Sequence, residues 1–353
     1  MHKVIHLLPY DGIGGAEEAA RSMSGASSPG IDFRVRYVFP RAATGGRRAT
    51  FNPWALLQAA RTVRREAPDL LIVSLWRACL VGILVRLLRP RTRMVVLIHN
   101  SVDAHAADRP ATRAAMALSE AVWADSEASI RLRFRKPPRA PVTQIPFLTR
   151  RLDPIVPDAA SASPAPAFIF WGRLAPQKDL PTALRLFHRI RQRHPRATFT
   201  VIGPDSGQRA ALESLCADLG LSAAVRFEGP QPFAEILRRV PGHAFYLQTS
   251  RYEGMAMSVV EAMQLGLVPV VTPVGEVSAY CRAGHNAVIV REPEAAAAEV
   301  LQLLDDAPAY RRLRDHAIAT WQAKPLYRDA VILQCERLVG VEPFRPGPPR
   351  DVD

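Results

Sequence analysis

The chain has few cysteines: Cys79, Cys216, Cys281 and Cys335 stand far apart in 353 residues, with no C-x-x-C pair and no histidine at ligand spacing. A disulfide framework and a structural zinc site are excluded, and a reducing cytoplasm fits. Long apolar runs are missing too. The longest in the interior, around Cys79 to Val85, is far short of the about 20 residues that cross a bilayer. The opening Met1-His2-Lys3-Val4-Ile5-His6-Leu7-Leu8-Pro9 has a short apolar stretch and no small-residue cleavage site before Gly14-Gly15, so it reads as a first strand and not a signal peptide. No zinc finger, recognition helix or aromatic RNA platform accompanies the charge, which argues against nucleic acid. What remains is an ordinary globular composition, 48% hydrophobic and 22% charged, with a length that suggests two domains.

Lysine is nearly absent, four residues against 42 arginines, yet the chain carries 46 basic and 33 acidic groups for a net +13. The excess is one-sided. Residues 1–150 hold 23 basic and 11 acidic residues, a net +12, whereas the remainder holds 23 and 22. An anionic partner is therefore expected at the first half. Arg61, Arg64, Arg65, Arg86, Arg89, Arg91 and Arg93 form one basic group; Arg131, Arg133, Arg135 and Lys136, interleaved with Ile130, Leu132 and Phe134, form another. Such a pattern suits peripheral contact with an anionic membrane, or simply a solvated helix face.

Short runs apolar on both faces alternate with helical stretches, the signature of a parallel sheet covered on both sides. Val4 to Leu8, Leu70 to Leu75 and Met94 to Ile98 are strands of a first domain, 1–150. A Pro/Ala/Ser-rich segment within 151–167 reads as a linker. The rhythm restarts at Phe168 to Trp171 and continues through Thr198 to Ile202, Phe245 to Gln248 and Val268 to Thr272, giving a second domain over 168–320. A helix at 321–340 is expected to pack back on the first domain, and 341–353 to form a tail.

Chemistry gathers where these strands end, the place at which open α/β sheets bind ligands. Arg173 and Lys178 leave one strand together and could neutralise a diphosphate; solvated loop charges are the plainer reading. Glu253 follows a second strand, Gly254 permits close backbone approach, and the amides of Met255, Ala256 and Met257 open a helix that suits an anion. Glu261 lies one turn further along and could accept from a pair of sugar hydroxyls.

These residues occur in the order of a known family. Gly14-Gly15-Ala16-Glu17, His99-Asn100, Gly172-Arg173 with Lys178, Gly203, and Glu253-x7-Glu261 resemble the retaining GT-B glycosyltransferases of family 4, the glycosyl transferases group 1. The similarity extends through Ala124-Asp125-Ser126-Glu127-Ala128, Phe227-Glu228-Gly229 and Thr272-Pro273-Val274-Gly275-Glu276 to Gly284-His285-Asn286.

The resemblance implies an α/β chain of GT-B fold, two doubly wound Rossmann-like domains facing across a cleft. It implies transfer of a sugar from a UDP- or GDP-sugar to a glycan or lipid-linked acceptor in cell-surface polysaccharide biosynthesis. No metal or cofactor is expected, and the setting would be the cytoplasm at the inner face of the membrane. Arg173 and Lys178 would hold the diphosphate, with Gly203 and the amides of Gly254 to Met257 also at the donor. Glu261 would take the ribose hydroxyls and Glu253 the transferred sugar. Gly14 and Gly15 would approach donor or acceptor, and His99 the anomeric centre, although a strand-end histidine is as readily a core residue. The family loop usually reads E-G-F-G, and here Ala256 replaces the second glycine. A non-catalytic partner subunit and a nucleotide-sugar epimerase are the competing readings. The terminal Asp351-Val352-Asp353 spells a metal motif of another glycosyltransferase fold, but in a tail it has nothing to fix it.

Overall fold

The computed structural model describes residues 1–11, 15–39, 52–99, 107–126, 129–130, 138–155 and 164–341. Gly14, Asn100, the basic group at 131–136, most of the linker, and Asp351 to Asp353 lie outside the described residues. The chain divides into two units, Met1–Arg150 with Pro325–Asp353, and Arg151–Lys324.

In the first unit the strands are β1 (His2–Tyr10), β2 (Ser27–Ser28), β3 (Ile31–Phe39), β4 (Leu70–Ser74), β5 (Arg93–Ile98), β6 (Ala121–Ala124) and β7 (Val142–Gln144), with helices α1 (Gly15–Ser22), α2 (Pro53–Glu66), α3 (Leu75–Leu88) and α4 (Asp108–Ala117). They form one sheet in the order β2-β3-β1-β4-β5-β6-β7, parallel except at β2. Every residue of β4 is buried, as a strand covered on both faces requires. Ile5, Leu7, Val73, Val81 and Val96 meet in the core under α3. Helix α2 starts where Asn52 accepts from the backbone N–H of Trp54 at 3.0 Å and Pro53 fills the first turn, a cap written in the sequence.

The second unit contains β8 (Ala167–Trp171), α5 (Leu180–Arg193), β9 (Thr198–Ile202), α6 (Arg209–Asp218), β10 (Val225–Gly229), α7 (Phe233–Arg239), β11 (Phe245–Gln248), α8 (Met257–Gln264), β12 (Val268–Val271), α9 (Val277–Tyr280), β13 (Val288–Ile289), α10 (Pro293–Asp305) and α11 (Ala307–Gln322). Its sheet is wholly parallel, ordered β10-β9-β8-β11-β12-β13. Phe168 stacks on Phe245 and meets Phe187 edge-on, and Phe187 packs at a tilt against Phe199. The chain winds outward in one direction from β8 and in the other from β11, so the switch point falls between those two strands.

Residues 151–155, assigned to the linker by composition, are tied to the second unit. Leu152 donates its N–H to Gln264 Oε1 at 3.1 Å, and Ile155 to the Leu265 carbonyl at 3.0 Å. The single helix anticipated over 321–340 is two elements: α11 ends at Gln322 in the second unit, and α12 (Tyr327–Val339) belongs to the first. Buried Tyr327 at its start donates its N–H to the Leu148 carbonyl at 2.7 Å.

Candidate functional site

The second unit builds its site from the two loops that leave β8 and β11. Beyond β8 the chain passes Gly172 and Arg173, makes a single 3-10 turn at Pro176–Lys178, and enters α5. Beyond β11 it runs through 249–256 into α8. The loops are stitched together: Arg251 donates its N–H to the Gln177 carbonyl at 2.9 Å, Gln177 Nε2 donates to the Tyr252 carbonyl at 2.9 Å, and Thr249 Oγ1 donates to the Asp179 carbonyl at 2.8 Å.

At their meeting point Lys178 Nζ donates to Glu253 Oε1 at 2.7 Å. Glu253 is only 7% exposed, so this is a largely desolvated pair whose partners depend on each other. Glu261 is buried too, on α8, and its Oε2 accepts from the indole N–H of Trp171 at 2.9 Å. Neither acid is therefore the solvated surface group that its isolated sequence position allows. Arg173 is exposed, with no side-chain partner among the described residues.

The amide hydrogens of Gly254 to Met257 find no backbone acceptor among the described residues. The loop is held from behind instead, by Glu276 N–H on the Gly254 carbonyl at 3.1 Å and Tyr280 OH on the Met255 carbonyl at 2.6 Å. Ala256, where the resemblance has glycine, sits at φ 52°, in the left-handed region. The backbone thus keeps the glycine-like path although the side chain has changed, at a cost of about 1 kcal/mol.

Gly203 ends β9, and a Cβ there would lie 1.8 Å from the Gly172 carbonyl oxygen. The close crossing of two strand ends therefore explains this glycine without a ligand. Gly275 has the same character: φ is 56°, and a Cβ would lie 1.9 Å from the Glu253 carbonyl oxygen. Its signal in the sequence is a glycine between strand β12 and helix α9.

Tyr246, Gln248, Ser258 and Trp171 also support the acids and carry no sequence motif. Tyr246 OH lies 3.1 Å from the Trp171 carbonyl and 2.9 Å from Gln248 Oε1, and Gln248 Nε2 donates to Glu253 Oε1 at 3.3 Å. Burial raises the Tyr246 phenol well above its ordinary pKa, so it remains a neutral donor.

The first unit presents a different arrangement at its own switch point, between β1 and β4. His6 of β1 and His99, just beyond β5, both bond Ser74 Oγ through Nε2, at 2.8 and 2.9 Å. His99 packs edge-on against Phe147. Burial lowers each histidine to about 3, with the neighbouring His99 adding to the effect on His6, so both rings are neutral at physiological pH. Their Nδ1 atoms are buried without a partner among the described residues. Gly15, exposed, opens α1. Among the described residues no group of three or more His, Cys, Asp or Glu is placed to hold a metal.

The sequence profile of the glycosyl transferases group 1 matches residues 155–320, the stretch that contains Lys178, Glu253 and Glu261. Over this stretch, just under half of the chain, the protein is similar to the glycosyl transferases group 1. The D-inositol 3-phosphate glycosyltransferase of Acidothermus cellulolyticus is 29% identical to this chain over 147 residues, 39% of the chain and 33% of the relative. The GDP-mannose:cellobiosyl-diphosphopolyprenol alpha-mannosyltransferase of Xanthomonas oryzae pv. oryzae is 27% identical over 147 residues, 41% of the chain and 38% of the relative. The chain thus spans between 33% and 38% of the length of these curated relatives. Among solved structures, Anabaena Alr3699/HepE in complex with UDP and glucose superposes with a TM-score of 0.74 at 18% identity, covering 97% of this chain and 100% of that one. The expected fold, GT-B with two doubly wound α/β units, is borne out.

Proposed function

We propose that the protein is a retaining, metal-independent glycosyltransferase that moves a sugar from a UDP- or GDP-sugar to a glycan or lipid-linked acceptor of the cell surface. The observation that carries this reading is the Lys178–Glu253 pair, its acid buried and its lysine partly so, at the switch point of the family-matched unit, backed by the open amides of Gly254 to Met257. In the proposed reaction the bond from the anomeric carbon to the diphosphate breaks and a bond to the acceptor oxygen forms. Arg173, Lys178 and the loop amides stabilise the charge gathering on the leaving diphosphate. That diphosphate takes the acceptor proton, which leaves Glu253 to bind the sugar rather than attack it. Glu261, fixed by Trp171, takes the ribose hydroxyls. His99, neutral and buried, serves as a hydrogen-bonding group and not as a charged acid.

Two relatives support the choice of substrates by their names, which specify GDP-mannose with a diphosphopolyprenol acceptor, and an inositol phosphate. The HepE complex holds UDP and glucose. A membrane-side acceptor also agrees with the first unit's charge: α2 exposes Arg61, Arg64 and Arg65, and Trp54 at its start is 70% exposed. No helix among the described residues is long and apolar enough to cross a membrane. We propose that the contact is peripheral and on the cytoplasmic face.

The test is thermal stabilisation by a panel of nucleotide sugars at millimolar concentration, followed by hydrolysis of the one that stabilises. Selective stabilisation by one donor is expected. The reading fails if no UDP- or GDP-compound raises the melting temperature.

A further inference from the structure

Gln248 is the last residue of β11, only 2% exposed, and it uses both ends of its amide. Oε1 accepts from Tyr246 OH at 2.9 Å and Ser258 Oγ at 3.0 Å, while Nε2 donates to Glu253 Oε1 at 3.3 Å. The orientation is determined chemically. Turning the amide over would place its oxygen against a carboxylate oxygen, two acceptors facing each other, whereas the hydroxyls of Tyr246 and Ser258 are natural donors to Oε1. Glu253 Oε1 thus receives hydrogen bonds from a cation on the β8 loop and an amide on β11. The single hydroxyl hydrogen of Tyr246 faces both Gln248 Oε1 and the Trp171 carbonyl, and the Trp171 indole donates to Glu261. Buried polar groups of two adjacent strands, β8 and β11, therefore support both acids.

We infer that Gln248 is a positioning residue, which sets the plane of the Glu253 carboxylate for the donor's sugar while the nucleotide contacts stand without it. The inference rests on the donor-binding reading above. It separates two properties that a simple stabilising role would move together: affinity for a nucleoside diphosphate, which has no sugar, and turnover of the nucleotide sugar.

The experiment uses the full chain, UDP and GDP as sugar-free probes, and hydrolysis of the nucleotide sugar that stabilises the wild type. Gln248→Met keeps the volume and removes the donor. Its Kd for the nucleoside diphosphate should stay within about twofold of wild type while kcat falls about tenfold to a hundredfold, the scale of a misplaced reacting group. Gln248→Glu sets two carboxylates against each other, and protonation of one restores a donor between them. Its kcat should rise as pH is lowered from 8 towards 5.5, relative to wild type at each pH. Should Gln248→Met fold poorly, Tyr246→Phe keeps the ring against Trp171, removes one donor to Gln248, and should lower kcat with nucleotide affinity kept. Wild-type kcat in Gln248→Met, equal losses of kcat and nucleotide affinity, or a Gln248→Glu profile parallel to wild type would each overturn the inference. Failure of the donor reading itself shows earlier, in a wild-type protein that no nucleotide stabilises, and the inference then falls with it.

Discussion

Both units end their strands at a switch point, but they furnish it in opposite ways. The first unit, whose residues 1–150 carry nearly all the net charge, places two neutral histidines and a serine there. The second, with 19 basic and 17 acidic residues over 151–324, holds a largely desolvated Lys178–Glu253 ion pair and a second acid on an indole. Net charge therefore describes what a unit's exterior attracts, while the chemistry at its strand ends depends on a few desolvated groups that hardly affect the count. A buried pair needs both members, whereas a neutral relay needs only its hydrogen bonds.

The largest effect that separates them is expected from Lys178→Ala. The substitution leaves the Glu253 carboxylate buried without its cation and removes the proposed diphosphate contact. Activity should fall about a hundredfold to a thousandfold, as when one preorganised electrostatic group is deleted. Donor hydrolysis measures the change; a non-catalytic partner subunit would keep its biological role in the same variant.

Ser74→Ala probes the neutral side. It removes the shared partner of two buried imidazoles, and should destabilise the first unit by about 1–3 kcal/mol. Hydrogen exchange of the β4 and β5 amides reads this unit alone, where a global melt mixes both. The wild type adds a pH signature. Both histidines are lowered to about 3 in the folded chain, against about 6.5 when unfolded. Their neutral burial therefore costs nothing above the unfolded value, and stability is lost progressively as pH falls from about 6.5 towards 3. His6→Leu, with one proton-binding group fewer, should show a shallower loss between pH 7 and 5. An unchanged slope would mean that the rings are not buried neutral.

Ala256→Gly is the smallest change. Glycine relieves the left-handed strain at φ 52°, a gain of about 1 kcal/mol, partly offset by the freer unfolded chain. The second unit should melt about 2–4 °C higher at most. A drop would show that the Ala256 methyl, which is buried, contributes packing that outweighs the strain.

Much of the fold could be read from the chain because strands buried on both faces write themselves as unbroken apolar runs, as in β4, β5 and β11. Strand β3 is written differently: Asp32, Arg34 and Arg36 alternate with Ile31, Phe33, Val35 and Tyr37, a period-2 pattern and not an unbroken run, and its eight-residue register with β1 places it in the sheet. The site divided in the same way. Lys178, Glu253 and Glu261 were visible as charges near strand ends, and all three fall within the stretch that matches the glycosyl transferases group 1 profile. Their pairing was not visible, since Lys178 and Glu253 are 75 residues apart in sequence. Gln248 and Ser74 were silent for another reason. A single polar residue ending an apolar run looks like a strand boundary, and only the folded chain reveals that its partners are acids or imidazoles.

Helix α12 carries a consequence for synthesis. The first unit's fold includes residues from both sides of the second, with Tyr327 buried and bonded to the Leu148 carbonyl. During translation that unit cannot close when residue 150 leaves the ribosome. It waits, with the α12 berth open, for the whole intervening unit to be made, roughly 10–40 s at ordinary elongation rates. The second unit is contiguous and can fold first, so the order of assembly on the ribosome is the reverse of the order in the sequence.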